Sequence, residues 1–346
     1  MPELVDLRSD TVTKPSVAMR KVMAEAEVGD DVFHEDPSVN RLEEMVADLY
    51  GKEAALYVAS GTMANQLAIR AQTHHGDEII MERTSHPFNS ESGALAALAG
   101  VQVNLIDGKR GVMEVDHIKA AVRTPNVHHA PTALICLENT HNRGGGSIWP
   151  LDKIRAIWEF GRAVGIPMHL DGARLMNACA VTGLTPKDYA VYFDSCTLCL
   201  SKGLGAPVGS LVIGSKNVIA RAHRFRKQFG GGMRQAGILA AAGVYALEHN
   251  VERLTEDHLN AKHLARGIAD TDGLDIDVNA VETNILYFRV RKAGLTVPML
   301  LERLQAEGVL MLGTGPTTIR AVTHLDVTKD GIDRAIETLH RVVREQ

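Results

Sequence analysis

Three stretches of this chain bring together residue types that chemistry needs. Ser60-Gly61-Thr62 lies between a short apolar run and a helical run. Free backbone N–H groups at a helix start, the helix dipole and two hydroxyls make a cradle for an anion. A capping turn uses the same residues, and on this motif alone both readings stand. In IPMHLDGAR (166–174) an apolar strand ends on Asp171, with Arg174 three residues on. A carboxylate at the mouth of a parallel sheet is poorly solvated unless it meets a cation. That cation is either Arg174 or the ring nitrogen of a ligand. In DSCTLCLSKGLGAPVGS (194–210), Lys202 follows an apolar strand within a Gly-rich turn. Such a lysine either points to solvent or, when desolvated, becomes an amine nucleophile able to form a Schiff base. In that order the three stretches would hold the phosphate, the pyridinium nitrogen and the aldehyde carbon of one cofactor.

The elements around them set the fold class. Asp36-Pro37 opens a helix whose apolar positions Val39, Leu42, Met45, Val46 and Leu49 keep helical spacing up to Gly51. AALYVA (54–59) reads as a strand and 63–73 as a helix. Strands are expected at 78–82, 101–106, 133–138, 166–171, 194–200 and 210–213, with helices between most of them. Strands apolar throughout and separated by helices mean an α/β fold with a mainly parallel sheet covered on both faces. After Gly214 the rhythm changes to two or three helices over 216–270, then shorter elements. We expect a large domain over 15–245. A smaller α+β domain, over 246–346 and joined by 1–14, is expected to be reached by a long helix. In open α/β sheets, ligands sit at the carboxyl ends of the strands, where the three stretches fall.

Composition narrows the alternatives. The 346 residues are 45% apolar and 23% charged, the balance of a globular protein. The net charge of −5 gives no global attraction to nucleic acid or anionic lipid, so neither partner is expected. No apolar core interrupts MPELVDLRSDTVTK, and the longest uncharged apolar stretch, 236–247, is too short to span a bilayer; a cytoplasmic protein is expected. Cys196 and Cys199 form a lone CxxC inside an apolar run and read as buried strand residues, and no metal site is expected. Neither GxxxxGK[ST] nor a strict GxGxxG occurs, which disfavours a nucleotide-phosphate loop and a nicotinamide dehydrogenase.

The chain resembles the threonine aldolases of the β-eliminating lyase group, pyridoxal-phosphate enzymes with the aspartate-aminotransferase fold (fold type I). The resemblance is carried by DLRSDTVTKP (6–15), GDDVFHEDPSVNRLE (29–43), SGTMANQ (60–66), SHPF (85–88), ENTHNRGGG (138–146), HLDGARLMNA (169–178), CLSKGLGAPVGS (199–210) and GGGMRQAG (230–237). It implies that Lys202 is the Schiff-base lysine and that Asp171 partners the pyridinium N–H. Gly61 and Thr62 would bind the phosphate, with Arg234 reaching it from a neighbouring subunit. His86 would stack on the cofactor ring, while Ser9, Arg174 and Arg320 would hold the substrate α-carboxylate. His128, favoured over His129, is a second candidate catalytic histidine. Lys227 is a further matched basic residue near the subunit interface. His169 is expected to point away from the site. Asn89 and Glu91 receive no role.

The implied reaction is retro-aldol cleavage of L-threonine, L-allo-threonine or a related β-hydroxy-α-amino acid to glycine and an aldehyde. His86 or His128 would act as base on the β-hydroxyl, because a histidine pKa near neutrality suits proton transfer. A phenylserine-type aldolase or a serine hydroxymethyltransferase-like enzyme would use the same clamp and cofactor. A non-catalytic pyridoxal-phosphate carrier would not need the clamp residues. The resemblance also implies a homo-oligomer, a tetramer with active sites at a dimer interface.

Overall fold

The computed structural model describes residues 4–345. β1 (Val5–Asp6) opens the chain. The next seven strands form one sheet: β2 (Ala54–Val58), β3 (Glu78–Glu82), β4 (Gln102–Ile106), β5 (Thr132–Glu138), β6 (Met168–Asp171), β7 (Ser195–Cys199) and β8 (Ser210–Gly214). Their spatial order is β2-β8-β7-β6-β5-β3-β4. Only β8 runs against its neighbours, β7 and β2; the other pairings are parallel. The carboxyl ends of the other six strands therefore lie along one edge of the sheet. β3, β6, β7 and β8 are buried at every residue, as helices on both faces require.

Local signals place the helices. Asp36 accepts from the N–H groups of Ser38 and Val39, and Gly51 in the left-handed region (φ 60°) ends the helix Pro37–Tyr50. The expected long helix into the C-terminal part is instead two. Gly237–His249 packs on the helices Val17–Ala24 and Pro37–Tyr50, whereas Leu254–Ala269 packs on the last helix, Lys329–Arg344. The uninterrupted apolar stretch over 236–247 is thus a buried helix of the large core. At the break, the Asn250 side chain donates to the Leu204 carbonyl at 2.8 Å.

The C-terminal part adds β9 (Leu274–Asp275), β10 (Ile285–Val290), β11 (Val309–Leu310), β12 (Leu312–Gly313) and β13 (Thr318–Val322). Four of these form an antiparallel sheet in the order β12-β13-β10-β9, while β11 pairs in parallel with β1. Val5 and Leu7 belong to the hydrophobic cluster of this part, with Leu264, Phe288, Leu300, Ile319 and Leu339. The chain then crosses back, and the Thr13 hydroxyl donates to the Lys202 carbonyl at 3.3 Å.

Cys136, Cys196 and Cys199 are buried strand residues, as expected of the CxxC pair. Burial pushes the Cys196 thiol up to about 12, so it carries no thiolate near neutrality. No described helix is long and apolar enough to cross a membrane.

Leu7 is fully buried, so Leu7→Ala is expected to lower stability by about 2–5 kcal/mol in denaturant unfolding. A loss under about 1 kcal/mol would show that the first strand does not anchor the segment running to Lys202.

Candidate active site

The anion cradle and the capping turn turn out to be one structure. Ser60 Oγ accepts from the Met63 N–H at 3.2 Å and caps the helix Gly61–Gln72. The first N–H groups of that helix have no intrahelical acceptor and face the carboxyl edge of the sheet. A Cβ at position 61 would lie 2.6 Å from the Cys199 sulfur. Only glycine lets the helix start this close to β7.

One turn further, Asn65 meets the end of β6. Its Nδ2 donates to Asp171 Oδ2 and to Glu91 Oε1, each at 2.9 Å. Burial opposes charge on Asp171. The neighbouring His86 and Lys202 and the Asn65 hydrogen bond nevertheless hold its carboxyl below the usual range. His86 opens the short helix His86–Asn89 after β3, and its Nδ1 lies 2.9 Å from Glu91 Oε1. Desolvation works against the imidazolium here too. The Glu91 hydrogen bond and the Asp171 charge still raise the His86 pKa above its ordinary value. Glu91 Oε2 accepts from Gln66 Nε2 at 2.7 Å.

Lys202 sits in the turn after β7, and its ammonium is close enough to bias Asp10, Asp171 and His86. Among the described residues its amine has no hydrogen-bond partner. Arg174 turns to Asp10 and not to Asp171. Its Nε and Nη2 donate to the Asp10 carboxylate, both at 2.7 Å, in a bidentate pair that is buried on both sides. Arg174 holds the Asp10 carboxyl far below the usual range despite full burial. Arg320, on β13, donates through Nη2 to the Arg8 carbonyl at 3.0 Å and through Nη1 to Asn142 Oδ1 at 3.2 Å. Its Nε is buried without a partner. The segment Arg8–Asp10 thus runs between two guanidinium groups, with Ser9 in the middle.

Glu138, at the end of β5, links two loops. One carboxylate oxygen accepts from the His86 N–H at 2.7 Å and the other from the Asn142 N–H at 2.8 Å. His141, fully buried, lies 3.2 Å from Glu82 and 3.8 Å from Glu138. Burial disfavours its charge, but those two carboxylates raise its pKa.

The edge of the sheet therefore gathers Ser9, Gly61, Thr62, His86, Asp171, Arg174, Lys202 and Arg320. Two expected site residues lie elsewhere in the chain. His128 is exposed in the loop before β5, at the amino edge of the sheet. The length of that strand, roughly 20 Å, separates it from Glu138. Arg234 is an exposed residue paired with Asp30 at 3.0 Å. In the basic helix Lys216–Gln228, Arg226 is buried against Asp31 and the Tyr57 carbonyl, a structural role. His169 does not point away. Strand side chains repeat every two residues, so it shares a face with Asp171, and its Nε2 lies 3.3 Å from Asn65 Oδ1.

Sequence reasoning missed Asp10 and Asn65 and gave Glu91 no role. Asp10 could have been suspected from its place beside Ser9. Asn65 stands one helical turn after Gly61, on the side that must face the sheet.

The residues present fit pyridoxal phosphate. The helix start could take a phosphate and has no room for a side chain at Gly61, Asp171 is a buried carboxylate held in its charged form, and the Lys202 amine is unpartnered among the described residues. A threonine aldolase of Leishmania major shares the fold, with a TM-score of 0.83, 21% identity and coverage of 98% of this chain and 99% of that one. A serine palmitoyltransferase of Sphingomonas wittichii does so with a TM-score of 0.77, 16% identity and coverage of 99% and 88%. Fold and site together define a pyridoxal-phosphate-dependent enzyme of fold type I.

A family model described as beta-eliminating lyase matches residues 6–291. The low specificity L-threonine aldolase of Escherichia coli K12 is 43% identical over 94% of this chain and 96% of its own length. A probable low-specificity L-threonine aldolase 2 of Arabidopsis thaliana is 41% identical over 98% and 97%. The chain belongs to the beta-eliminating lyase family, and it is a lyase.

Asp10→Asn keeps the shape but removes the anion that orients Arg174. We expect KM for the amino-acid substrate to rise about tenfold or more, with thermal stability reduced, because breaking a buried pair leaves an uncompensated charge. An unchanged KM in a folded variant would show that Arg174 needs no such support.

Proposed function

We propose that the protein cleaves threonine-type β-hydroxy-α-amino acids to glycine and an aldehyde. The observation that carries this reading is the meeting of Arg174 and Arg320 at the segment Arg8–Asp10, close to Lys202, with His86 on the same edge of the sheet. A carboxylate clamp beside an amine and a titratable imidazole is what an amino-acid-cleaving site requires, and the named relatives act on threonine.

In this reading Lys202 attaches the cofactor through its amine. The N–H groups of Gly61 and Thr62 take the phosphate, and Asp171 holds the proton on the ring nitrogen. The unpartnered Arg320 Nε and the outward edge of Arg174 take the substrate carboxylate, a pairing suited to planar bidentate contact. That grip would fix rotation about Cα and so decide which of its bonds is set for cleavage. The bound cofactor supplies an electron sink for the pair released at Cα. His86 faces Glu91 through Nδ1, which leaves Nε2 to accept the β-hydroxyl proton as the aldehyde departs.

The unit is a cytosolic homo-oligomer, a tetramer. Arg234 reaches the phosphate of a neighbouring site, and His128 enters a site only from a second copy. Its two bodies are the large domain over 15–245 and the smaller one formed by 246–346 with 1–14. That division is supported by Val5 and Leu7 packing in the C-terminal cluster.

Incubation with threonine, allo-threonine and phenylserine is expected to release glycine and the matching aldehyde from at least one of them. Lys202→Ala should lose both the reducible cofactor linkage and turnover. Absence of glycine from all three substrates would overturn the reading.

The pH profile tests the base. His86 must lose its proton to act, and Glu91 helps to hold that proton, so Glu91→Gln is expected to move the acidic limb of kcat/KM to lower pH. A limb that stays in place, or moves up, would remove His86 from that role.

A further inference from the structure

We propose that His169, which no step of the reaction uses, is a positioning residue. Through the Asn65 amide it fixes the hydrogen-bonding state of both site carboxylates, Asp171 and Glu91. The inference rests on the reading of Asp171 as the partner of the cofactor ring nitrogen.

The argument is a chain of forced orientations. Asn65 has one donor end and one acceptor end. Its Nδ2 is 2.9 Å from Asp171 Oδ2 and 2.9 Å from Glu91 Oε1. Turning the amide over would set its carbonyl oxygen against two carboxylates, so the nitrogen must face them. The Oδ1 end then faces the Thr197 hydroxyl and His169 Nε2, both at 3.3 Å. Thr197 Oγ1 itself accepts from the Gly172 N–H at 3.2 Å, which leaves its hydrogen for Asn65. His169 must therefore carry its proton on Nε2.

The other ring nitrogen is fixed in turn. His169 Nδ1 lies 2.7 Å from Ser195 Oγ, and that oxygen accepts from Gln72 Nε2 at 2.6 Å. Ser195 thus donates to a bare Nδ1. Donation runs one way, from Gln72 to Ser195, His169 and Asn65, and ends on the two carboxylates. A protonated ring would place a hydrogen on Nδ1 and leave the Ser195 hydroxyl without its acceptor. Burial lowers the His169 pKa to about 4, even with Asp171 on the same strand face. Cys136 of β5 stands opposite His169, with its thiol pushed up by burial. The ring is neutral near pH 7, although a Ser195 backbone hydrogen bond also favours a proton on it, and of the two tautomers only the one with Nε2–H meets the Asn65 carbonyl oxygen.

The far end of the chain explains why this bears on chemistry. Asp171 takes the Asn65 hydrogen on Oδ2 and the Ala173 N–H on Oδ1. Glu91 receives Asn65, Gln66 and His86. The same amide therefore steadies the group that meets the cofactor ring and the group that sets the free nitrogen of His86. If His169 loses the donor, the Thr197 hydroxyl alone is left on Asn65 Oδ1, and the amide's hold on both carboxylates loosens together.

The test uses the cofactor-loaded enzyme and its visible absorption band. His169→Leu removes the donor at similar volume; His169→Gln offers an N–H in place of Nε2. Ser195→Ala removes the hydroxyl that selects the tautomer and serves if the leucine variant does not fold. We expect the band of the leucine variant to titrate at a pH different from wild type, and the cofactor to dissociate about tenfold more readily. The glutamine variant should recover at least half of both changes, and the alanine variant should shift the same way by less. Histidine 15N signals of the wild-type holoenzyme should show Nε2 protonated and Nδ1 bare at His169. The inference is overturned if the leucine variant (or the alanine variant in its place) titrates as wild type, if glutamine rescues nothing, or if Nδ1 carries the proton. A wild-type protein with no cofactor band would instead remove the underlying reading of the site.

Discussion

A carboxylate buried at the mouth of a parallel strand is the constraint around which this structure is arranged. Asp171 cannot stay charged in that position without help, because desolvation alone would push its proton back on. Help comes from three directions: the imidazole of His86 after β3, the ammonium of Lys202 after β7, and the amide of Asn65 on the helix after β2. A parallel sheet is suited to this because it delivers the ends of many strands to one edge. The single reversed strand, β8, does not disturb the arrangement.

The same constraint recurs at Arg174. A guanidinium this deep needs a counter-charge, and Asp10 supplies it from a segment that begins in the other hydrophobic cluster. The start of the chain is therefore part of the site. Strand pairing of Val5 with Val309 holds one end of the segment, and the Thr13 contact with the Lys202 carbonyl holds the other. Between them lie Ser9 and Asp10, where both arginines arrive.

Much of this was legible in the sequence because it follows from local rules. Apolar runs separated by helical runs fixed the α/β class, and Gly61, Asp171 and Lys202 could be placed at strand ends from pattern alone. What escaped depends on contacts between residues far apart in the chain. Nothing near Asp10 announces a partner 164 residues away, and Asn65 reads as an ordinary helix residue until β6 is laid against it. The misplacing of His169 was of another kind. A period of two puts alternate residues on one face, and the residue two before Asp171 had to share its side. The long helix expected before the C-terminal part failed because the apolar run over 236–247 belongs to the first core, and the chain must break before it can enter the second.

Glu138 joins two loops of the candidate site. Its carboxylate is shared between the backbone of His86, beside the cofactor position, and that of Asn142, which steadies Arg320. Two loops that hang from one acceptor do not settle independently. If a substrate carboxylate ordered Arg320 and Asn142, the shared acceptor would carry part of that ordering to His86, and such a coupling would be reciprocal by thermodynamic necessity. In the proposed reading, an amino acid held at Arg320 and a cofactor beside His86 would meet through this one shared acceptor.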